Sequence, residues 1–404
     1  MAQKGITGFF DDYLIKEPLF TNKKSLQISY TPDTIPHRDE QIQAVASILA
    51  PSLRCEKPSN IFIYGKTGSG KSLTINYVTA NLLETAKKNN VPLTIVYVNC
   101  KLKRVADTEY RILAQITREF GEDVPSTGLP TDEIYKIFIN AIEREKRLVI
   151  IILDEIDQLV KKAGDEILYN FTRLNSELKN TEISIIGISN DLLFTDNIDP
   201  RIKSSLGEEE IVFPPYNALQ IQSILKQRSQ LAFRPNVLQE GVIEKCAAYA
   251  AREHGDARRA LDLLRVAGEL CERKGSTQVT TKHIDEAEEK IERDRVLDII
   301  TTQPKQVKLT LYSIFTISDQ KDASEISTGD IYSLYSEACD KVGVKPLTQR
   351  RVSDILAELD MLGIINTKVI SKGRYGRTRE IHLAIPQSNV KNINISLKES
   401  LGLK

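Results

Sequence analysis

The chain has 404 residues, enough for two or three domains, and its 41% apolar and 27% charged content is ordinary for globular proteins. Its 55 basic and 55 acidic residues cancel, which excludes a protein that attracts nucleic acid through an overall positive field. Any affinity for DNA must therefore come from a local basic patch.

The cysteines and the apolar runs exclude several other classes. The five cysteines include no CxxC pair and the four histidines lie far apart, so we expect neither a zinc site nor a disulfide framework. The longest purely aliphatic stretch, which contains residues 149–153, is far too short to cross a bilayer, and no signal-like segment begins the chain. We expect a cytoplasmic protein without a membrane partner.

The first half of the chain alternates short aliphatic runs with amphipathic stretches. A loose N-terminal arm is expected over residues 1–15. Strand-like runs follow at residues 60–64, 93–99, 148–153, 183–189 and 210–213, with helical patterns between them at 70–83, 107–120 and 131–145. Strands that alternate with helices predict a parallel five-stranded α/β sheet, in a domain spanning residues 16–213.

Two prolines, Pro214 and Pro215, end this alternation. Only helical patterns follow over residues 214–300, which predicts an all-α domain. Beyond it, three helical patterns precede two strands, at residues 305–317, 328–341, 348–362, 364–370 and 379–385. Three helices followed by a β-hairpin is the order of a winged helix-turn-helix, which we place at residues 301–386. We expect residues 387–404 to be a flexible tail.

A glycine-rich turn follows the first strand. Its sequence, GKTGSGKS, fits GxxxxGK[ST], a P-loop pattern in which backbone N–H groups converge on a phosphate. Lys71 would reach the β- and γ-phosphates, Ser72 would bind Mg²⁺, and the following helix would direct its positive end at the same anion. The residues assigned to ATP or ADP here are Gly65, Lys66, Thr67, Gly68, Ser69, Gly70, Lys71 and Ser72.

An acidic pair ends the apolar third strand. In P-loop folds an aspartate at this position helps to hold Mg²⁺, so Asp154 is expected to share the metal with Ser72. The adjacent Glu155 is placed to polarise the attacking water. The alternative is that the two carboxylates merely cap the helix that follows.

These motifs together resemble the archaeal replication initiators of the origin recognition complex and cell-division-control type, a clade of AAA+ proteins. The resemblance runs from about residue 35 to residue 385. It implies an α/β P-loop AAA+ domain, an all-α lid and a C-terminal winged helix. The segment LDEID, which contains Asp154, matches the family's acidic motif, and GDARRAL resembles its second sensor in the lid, where Arg258 would reach the phosphates.

The resemblance assigns further nucleotide and catalytic residues. The segment PHRDEQ looks like the box near the adenine, so Pro36 and Arg38 are expected to contact the nucleotide, and Tyr216 is assigned to the same site. Asn190 resembles the polar sensor of the γ-phosphate. Arg201 resembles the arginine that is supplied in trans to a neighbour's nucleotide. A turn role for Asn190 and a surface salt bridge for Arg201 are the alternatives.

Candidate DNA contacts lie in the third helix of the winged domain and in its hairpin. Arginine at the start of this helix would pair with guanine, and glutamine with adenine, in the major groove. From residue 345 to residue 382, eight basic and four acidic residues leave a local charge of +4. The candidates are Thr348, Gln349, Arg350, Arg351, Ser353, Lys372, Arg374, Tyr375, Arg377 and Arg379. A solvated or protein-binding hairpin is the alternative.

The resembling family also touches DNA through an insertion after the second strand. It corresponds here to part of residues 101–128, where Lys103 and Arg104 are candidates among several acidic residues. Contact with DNA and a solvated loop are two equally open interpretations of this segment.

The resemblance implies an ATP-dependent initiator that binds double-stranded origin DNA and helps to recruit or load the replicative helicase, with a paralogous initiator as a further candidate partner. Its slow ATPase would work as a switch, and the protein would be associated with the nucleoid. Three alternatives stay open. They are an ATP-switched transcription regulator, a clamp-loader-like ATPase, and a self-contained ATPase in which Arg201 has no catalytic role.

Overall fold

The computed structural model describes residues 16–403 except residues 28, 102–107, 126–127, 195–197, 321–325, 372–376 and 385–386. The chain divides into two compact units, Met1–Ala287 and Glu288–Lys404. No helix within the described ranges has both the length and the apolar character that a membrane span requires.

A five-stranded parallel sheet forms the centre of the first unit, with the strand order β2-β3-β4-β1-β5. Its strands are β1 (Ile61–Tyr64), β2 (Leu93–Asn99), β3 (Arg147–Asp154), β4 (Thr181–Ser189) and β5 (Glu209–Val212). Each begins and ends within two residues of the predicted run. The sheet and its strands are therefore as predicted.

Helices cover both faces of this sheet. They are α1 (Asp39–Leu49), α2 (Lys71–Lys88), α3 (Glu109–Glu119), α4 (Thr131–Ile142), α5 (Ile156–Ala163), α6 (Glu166–Arg173) and α7 (Pro200–Leu206), with short 3₁₀ helices at Lys23–Leu26, Ala50–Arg54 and Leu174–Ser176. Successive residues of β3 enter opposite cores: Ile151 packs with α3 to α6, whereas Ile150 packs with α1 and α2. This alternation explains why the strand is apolar throughout.

The predicted all-α region consists of α8 (Ala218–Ala232), α9 (Val242–Arg252), α10 (Ala257–Arg273) and the start of α11 (Thr281–Thr302). The N-terminal segment packs on these helices, although we assigned it to the sheet domain. The ring of Phe20 stacks on Phe233 with the centroids 4.6 Å apart. A Cβ at Gly268 would lie 2.5 Å from the ring of Phe20, so a glycine is needed for this approach. Burial of the apolar side chains Leu19 and Phe20 is the physical reason for the difference.

The second unit contains α12 (Lys305–Gln320), α13 (Thr328–Val342), α14 (Gln349–Met361) and α15 (Gln387–Leu401), together with β6 (Ile326–Ser327), β7 (Ile365–Ser371) and β8 (Arg377–Leu383). The three strands form an antiparallel sheet in the order β6-β8-β7. Val296 and Ile300 near the end of α11 already belong to the core of this unit. The unit therefore begins before the predicted boundary at residue 301.

The expectation of a flexible tail over residues 387–404 was wrong, because most of this segment forms α15. Four of its apolar side chains, Val390, Ile393, Leu397 and Leu401, are buried in the cores of the second unit. Their spacing of three or four residues is the pattern of one helix face, so the signal was present in the sequence.

Candidate functional sites

The glycine-rich turn joins β1 to α2 and lies against the helical region. Gly68 and Gly70 have φ angles of 74° and 91°, which glycine adopts without strain. A Cβ at Gly68 would lie 1.8 Å from a carboxylate oxygen of Asp256, and a Cβ at Gly70 would lie 2.7 Å from the hydroxyl of Tyr216. Larger residues at either position would therefore displace the turn.

The ammonium group of Lys71 lies inside this turn. It donates hydrogen bonds to the backbone carbonyls of Gly65 (2.7 Å) and Lys66 (2.9 Å) and to the side-chain carbonyl of Asn190 (2.9 Å). Lys71 is 5% exposed, and this burial lowers its pKa to about 8, against the opposing effect of the Asp154 carboxylate. Two residues predicted from separate motifs are thus in direct contact.

The acidic pair lies at the carboxyl end of β3, next to the end of β2. One carboxylate oxygen of Asp154 accepts from the hydroxyl of Tyr97, and the other accepts from the backbone N–H of Glu155 at 2.9 Å. Burial and the neighbouring carboxylate raise the pKa of Tyr97. The carboxylate of Glu155 lies 3.5 Å from the ammonium group of Lys101. Both negative charges therefore have defined partners.

Tyr97 was missed by the sequence analysis. It lies on β2 two residues before Asn99, which pairs in register with Asp154. In a strand, residues two apart point to the same face, so a tyrosine at this position could reach the end of the neighbouring strand. The side chains of Asn99 and Ser72 act on the pKa of this hydroxyl in the opposite direction and lower it. The contact between Tyr97 and Asp154 could be predicted only with the register of β2 and β3 known.

A cavity of about 160 Å³ brings these side chains together. It is lined by Gly68, Gly70, Lys71, Ser72, Tyr97, Asn99, Asp154, Glu155, Asn190 and Arg258. The predicted phosphate lysine, both carboxylates and both predicted sensors therefore face one space.

A second cavity, of about 220 Å³, shares Gly68, Gly70, Ser72 and Arg258 with the first. The N-terminal segment and α8 contribute much of its wall. Pro36 and Tyr216 line it, as their assignment to the nucleotide requires. Both cavities therefore adjoin the glycine-rich turn, and Lys71 lines only the smaller one.

Arg38 is a predicted nucleotide contact that lies outside both cavities. It is 2% exposed and is not among the residues that line either cavity. Its Nε donates to the carbonyl of Ser69 at 2.9 Å, and its guanidinium lies 3.9 Å from the ring centroid of Tyr216. Arg38 therefore supports the shape of the turn. The turn residues Gly65, Lys66, Thr67 and Ser69 likewise line neither cavity.

Arg201 also lies away from both cavities. Its side chain is 70% exposed and forms an ion pair with Asp199 at 2.8 Å. Its guanidinium lies over the ring of Tyr169 at 5.2 Å. An exposed position is compatible with the predicted role in trans, which stays a prediction.

The start of α10 presents the predicted lid arginine. Asp256 caps this helix by accepting from the backbone N–H groups of Arg258 (2.8 Å) and Arg259 (3.3 Å). Arg258 lines both cavities, whereas the side chain of Arg259 forms an ion pair with Glu253 at 3.2 Å. The two arginines diverge, as their separation of about 100° around the helix predicts.

The start of α14 is the exposed end of an otherwise half-buried helix. Thr348 caps it by accepting from the backbone N–H of Arg351 at 3.4 Å, and Gln349, Arg350 and Arg351 are exposed. Its other face is buried through Val352, Ile355, Leu356 and Leu359. The helix therefore presents polar and basic side chains where the sequence analysis placed the groove contacts.

Several described contacts fix the hairpin to this helix. Thr367 on β7 donates from its backbone N–H (3.2 Å) and from its hydroxyl (2.9 Å) to the carboxylate of Asp360 on α14. Arg379 on β8 donates from Nη1 to the backbone carbonyl of Ser353 at 3.0 Å. The remaining candidates fall outside the described part of the chain: Lys103, Arg104, Lys372, Arg374, Tyr375 and the side chain of Arg377.

The fold and the site define a P-loop protein of the AAA+ class with a helical lid and a C-terminal winged helix. Three family models match the chain in the same order. They are the AAA domain over residues 54–193, the Cdc6 AAA+ ATPase-type lid domain over residues 222–289, and the CDC6 C-terminal winged helix domain over residues 298–393. The predicted fold class is confirmed.

Curated relatives identify the family. The chain is 53% identical over 395 residues to the ORC1-type DNA replication protein of Pyrococcus abyssi, covering 97% of this chain and 93% of the relative. It is 54% identical over 397 residues to that of Thermococcus onnurineus, covering 97% and 95%. The chain belongs to the family of ORC1-type DNA replication proteins, which confirms the resemblance predicted from its motifs. It is a replication initiator whose AAA+ fold implies nucleotide binding and the capacity for ATP hydrolysis.

A solved structure agrees with this assignment. The Aeropyrum pernix ORC1 protein, determined in complex with DNA, is 44% identical and superposes with a TM-score of 0.83. The match covers 95% of this chain and 98% of that one. Sequence and fold therefore agree over nearly the whole length of both proteins.

Proposed function

We propose that this chain is an ATP-dependent initiator that binds double-stranded origin DNA through its winged helix. Its affinity for that DNA depends on which nucleotide is bound. The observation that carries the proposal is the convergence of Lys71, Asp154 and Arg258 on one cavity from three separate elements. An anion-binding turn, a metal-binding carboxylate and a lid cation are the parts that a nucleotide switch needs.

The lining of the 160 Å³ cavity fits a magnesium-bound triphosphate. Lys71 and Arg258 supply positive charge for the phosphates, and phosphate oxygens would replace the carbonyl acceptors that Lys71 now uses. The hydroxyl of Ser72 and the carboxylate of Asp154 are oxygen ligands of the kind that Mg²⁺ prefers. When bound, Mg²⁺ would neutralise phosphate charge between these two residues.

The same cavity supports a slow ATPase that works as a switch. Glu155 would accept a proton from the attacking water, and Asn190 would orient that water or the terminal phosphate. However, Lys101 lies 3.5 Å from the Glu155 carboxylate and competes for it. A carboxylate engaged by a neighbouring cation is less available to the attacking water, which favours a long-lived ATP state.

The exposed start of α14 supports duplex binding. Gln349, Arg350 and Arg351 could enter the major groove, while the contact of Arg379 with Ser353 fixes the hairpin beside the helix. The DNA complex of the Aeropyrum pernix relative supports the same ligand for this chain. We also propose, from family membership, recruitment of the replicative helicase and association with the nucleoid.

The nucleotide assignment is tested by replacing the two lysines of the turn. Lys71→Ala should abolish ATP binding in titration calorimetry, because it removes the buried ammonium group from the phosphate cavity. Lys66→Ala is the matched control, since it keeps the backbone N–H that the turn offers to a phosphate and removes only an exposed side chain that lines neither cavity. Unchanged ATP affinity in the Lys71 variant would refute the site assignment.

Helicase recruitment is tested by capture from extract on the full-length chain with ATP. Retention of the replicative helicase, together with loss of replication initiation on depletion, is the expected result. A chain that binds DNA and ATP but captures no helicase and leaves initiation unchanged would instead be an ATP-switched transcription regulator.

A further inference from the structure

The larger cavity contains a buried cation with an unused donor. Arg228 in α8 is 5% exposed, and its Nη1 has no hydrogen-bond partner among the described residues. Its guanidinium lies 4.5 Å from the ring centroid of Tyr30, and both side chains line the 220 Å³ cavity. An unpaired donor at a buried site is costly, so a ligand with an acceptor at this position would be favoured.

Among the described residues that line this cavity, none places an acidic side chain beside Arg228. The described lining of this cavity includes polar and apolar side chains but no carboxylate. The side-chain amide of the adjacent Gln227 donates to the hydroxyl of Thr34 at 2.8 Å, so this donor already has a partner. Desolvation by burial lowers the pKa of Arg228, which is the effect expected of a cation that lacks a counter-charge.

The position of the cavity indicates which part of a ligand would meet this arginine. The cavity adjoins the glycine-rich turn through Gly68 and Gly70, on the side where Pro36 and Tyr216 lie. A phosphate chain bound at the turn would therefore place its nucleoside here. Purine bases offer ring nitrogens as acceptors in the plane of the base, and a guanidinium can donate to them.

We propose that Arg228 is a positioning and specificity residue for the nucleoside half of the nucleotide, with its guanidinium donating to a ring nitrogen of the adenine. The guanidinium lies over the ring of Tyr30, and this contact restricts its position before the nucleoside arrives. The inference rests on the proposed function, since it assumes that the phosphates bind at the glycine-rich turn.

The experiment compares ATP with inorganic tripolyphosphate, which has phosphates but no nucleoside. Arg228→Met should raise the Kd for ATP about tenfold or more, the effect of losing a hydrogen bond from a charged donor. The Kd for tripolyphosphate should not change. Lys226→Met is the matched control, because Lys226 lies on the same helix, is exposed and does not line the cavity. It should alter neither affinity.

Arg228→Lys provides a second variant that retains the charge but not the planar donor group. The ratio of the two affinities, measured on one sample, does not depend on the fraction of folded protein. A lower preference for ATP over tripolyphosphate in both Arg228 variants supports the inference. An unchanged ratio would overturn it while leaving the proposed function intact. Failure of the unsubstituted chain to bind either ligand would overturn both.

Discussion

The ammonium group of Lys71 donates a hydrogen bond of 2.9 Å to the side-chain carbonyl of Asn190, and this contact joins the phosphate turn to the end of β4. The backbone N–H of Asn190 in turn donates to the carboxylate of Asp157 at 3.3 Å, and Asp157 is 3% exposed. Hydrogen bonds therefore hold both the side chain and the backbone of Asn190. This anchoring supports the sensor role over a plain turn role.

Asn190→Ala should slow ATP hydrolysis by about a hundredfold, the typical cost of removing one oriented polar group from a transition state. ATP affinity should change much less, because Lys71 and the backbone of the turn remain. Steady-state hydrolysis and nucleotide titration measure the two effects separately. Asn81→Ala, on the exposed face of α2, is the control. Equal hydrolysis rates in the two variants would contradict the sensor role.

Substitution of the two neighbouring arginines of α10 tests which of them contacts the nucleotide. Arg258→Ala should weaken ATP binding about tenfold, because Arg258 lines both cavities and would lose a charge-assisted contact with phosphate. Arg259→Ala should leave ATP binding nearly unchanged, since its side chain is engaged with Glu253. Titration calorimetry decides between them. A larger loss in the Arg259 variant would show that the wrong arginine has been assigned to the nucleotide.

The exposed arginines of α14 should contribute directly to duplex affinity. The double variant Arg350→Ala/Arg351→Ala should bind duplex DNA at least tenfold more weakly. If both side chains contact phosphates, the slope of log affinity against log salt should become smaller by roughly 2. Fluorescence anisotropy over a range of salt concentrations measures both quantities. Lys398→Ala, in the last turn of α15, controls for the loss of a basic side chain elsewhere in the same unit. Similar losses in both proteins would argue against a specific role for α14.

The C-terminal helix should stabilise the second unit. Leu397 is 1% exposed, so Leu397→Ala should lower the free energy of unfolding by about 2–5 kcal/mol through lost burial and a residual cavity. Ile395→Ala on the same helix removes an exposed side chain and should change it by less than about 0.5 kcal/mol. Denaturant unfolding measures both. If the Leu397 variant were as stable as the Ile395 variant, α15 would not be part of the folded core.

The parts of the site that follow strands could be predicted because a parallel sheet fixes where strands end. Asp154 and Asn190 end neighbouring strands, and Lys71 follows the strand next to β4, so their meeting required only the strand order of a P-loop fold. Local pattern was sufficient for these residues because glycine spacing and apolar runs are short-range signals.

The parts that depend on long-range packing could not be predicted. The sequence does not indicate whether a buried arginine contacts a ligand or the main chain. Arg38 donates to the backbone carbonyl of Ser69, whereas Arg228 lines the larger cavity. The stacking of Phe20 on Phe233 joins segments more than 200 residues apart, and no local pattern encodes it. The helical spacing in residues 387–404, by contrast, was visible and was overlooked.

Footprinting of the full-length chain on genomic DNA, with ATP and in parallel with ADP, tests most directly whether this is a nucleotide-switched initiator. We expect a discrete protected stretch beside a replication start, with an occupancy that differs between the two nucleotides and is lost in the double arginine variant of α14. Equal affinity for every genomic fragment and for random-sequence duplex, whichever nucleotide is present, would contradict the account.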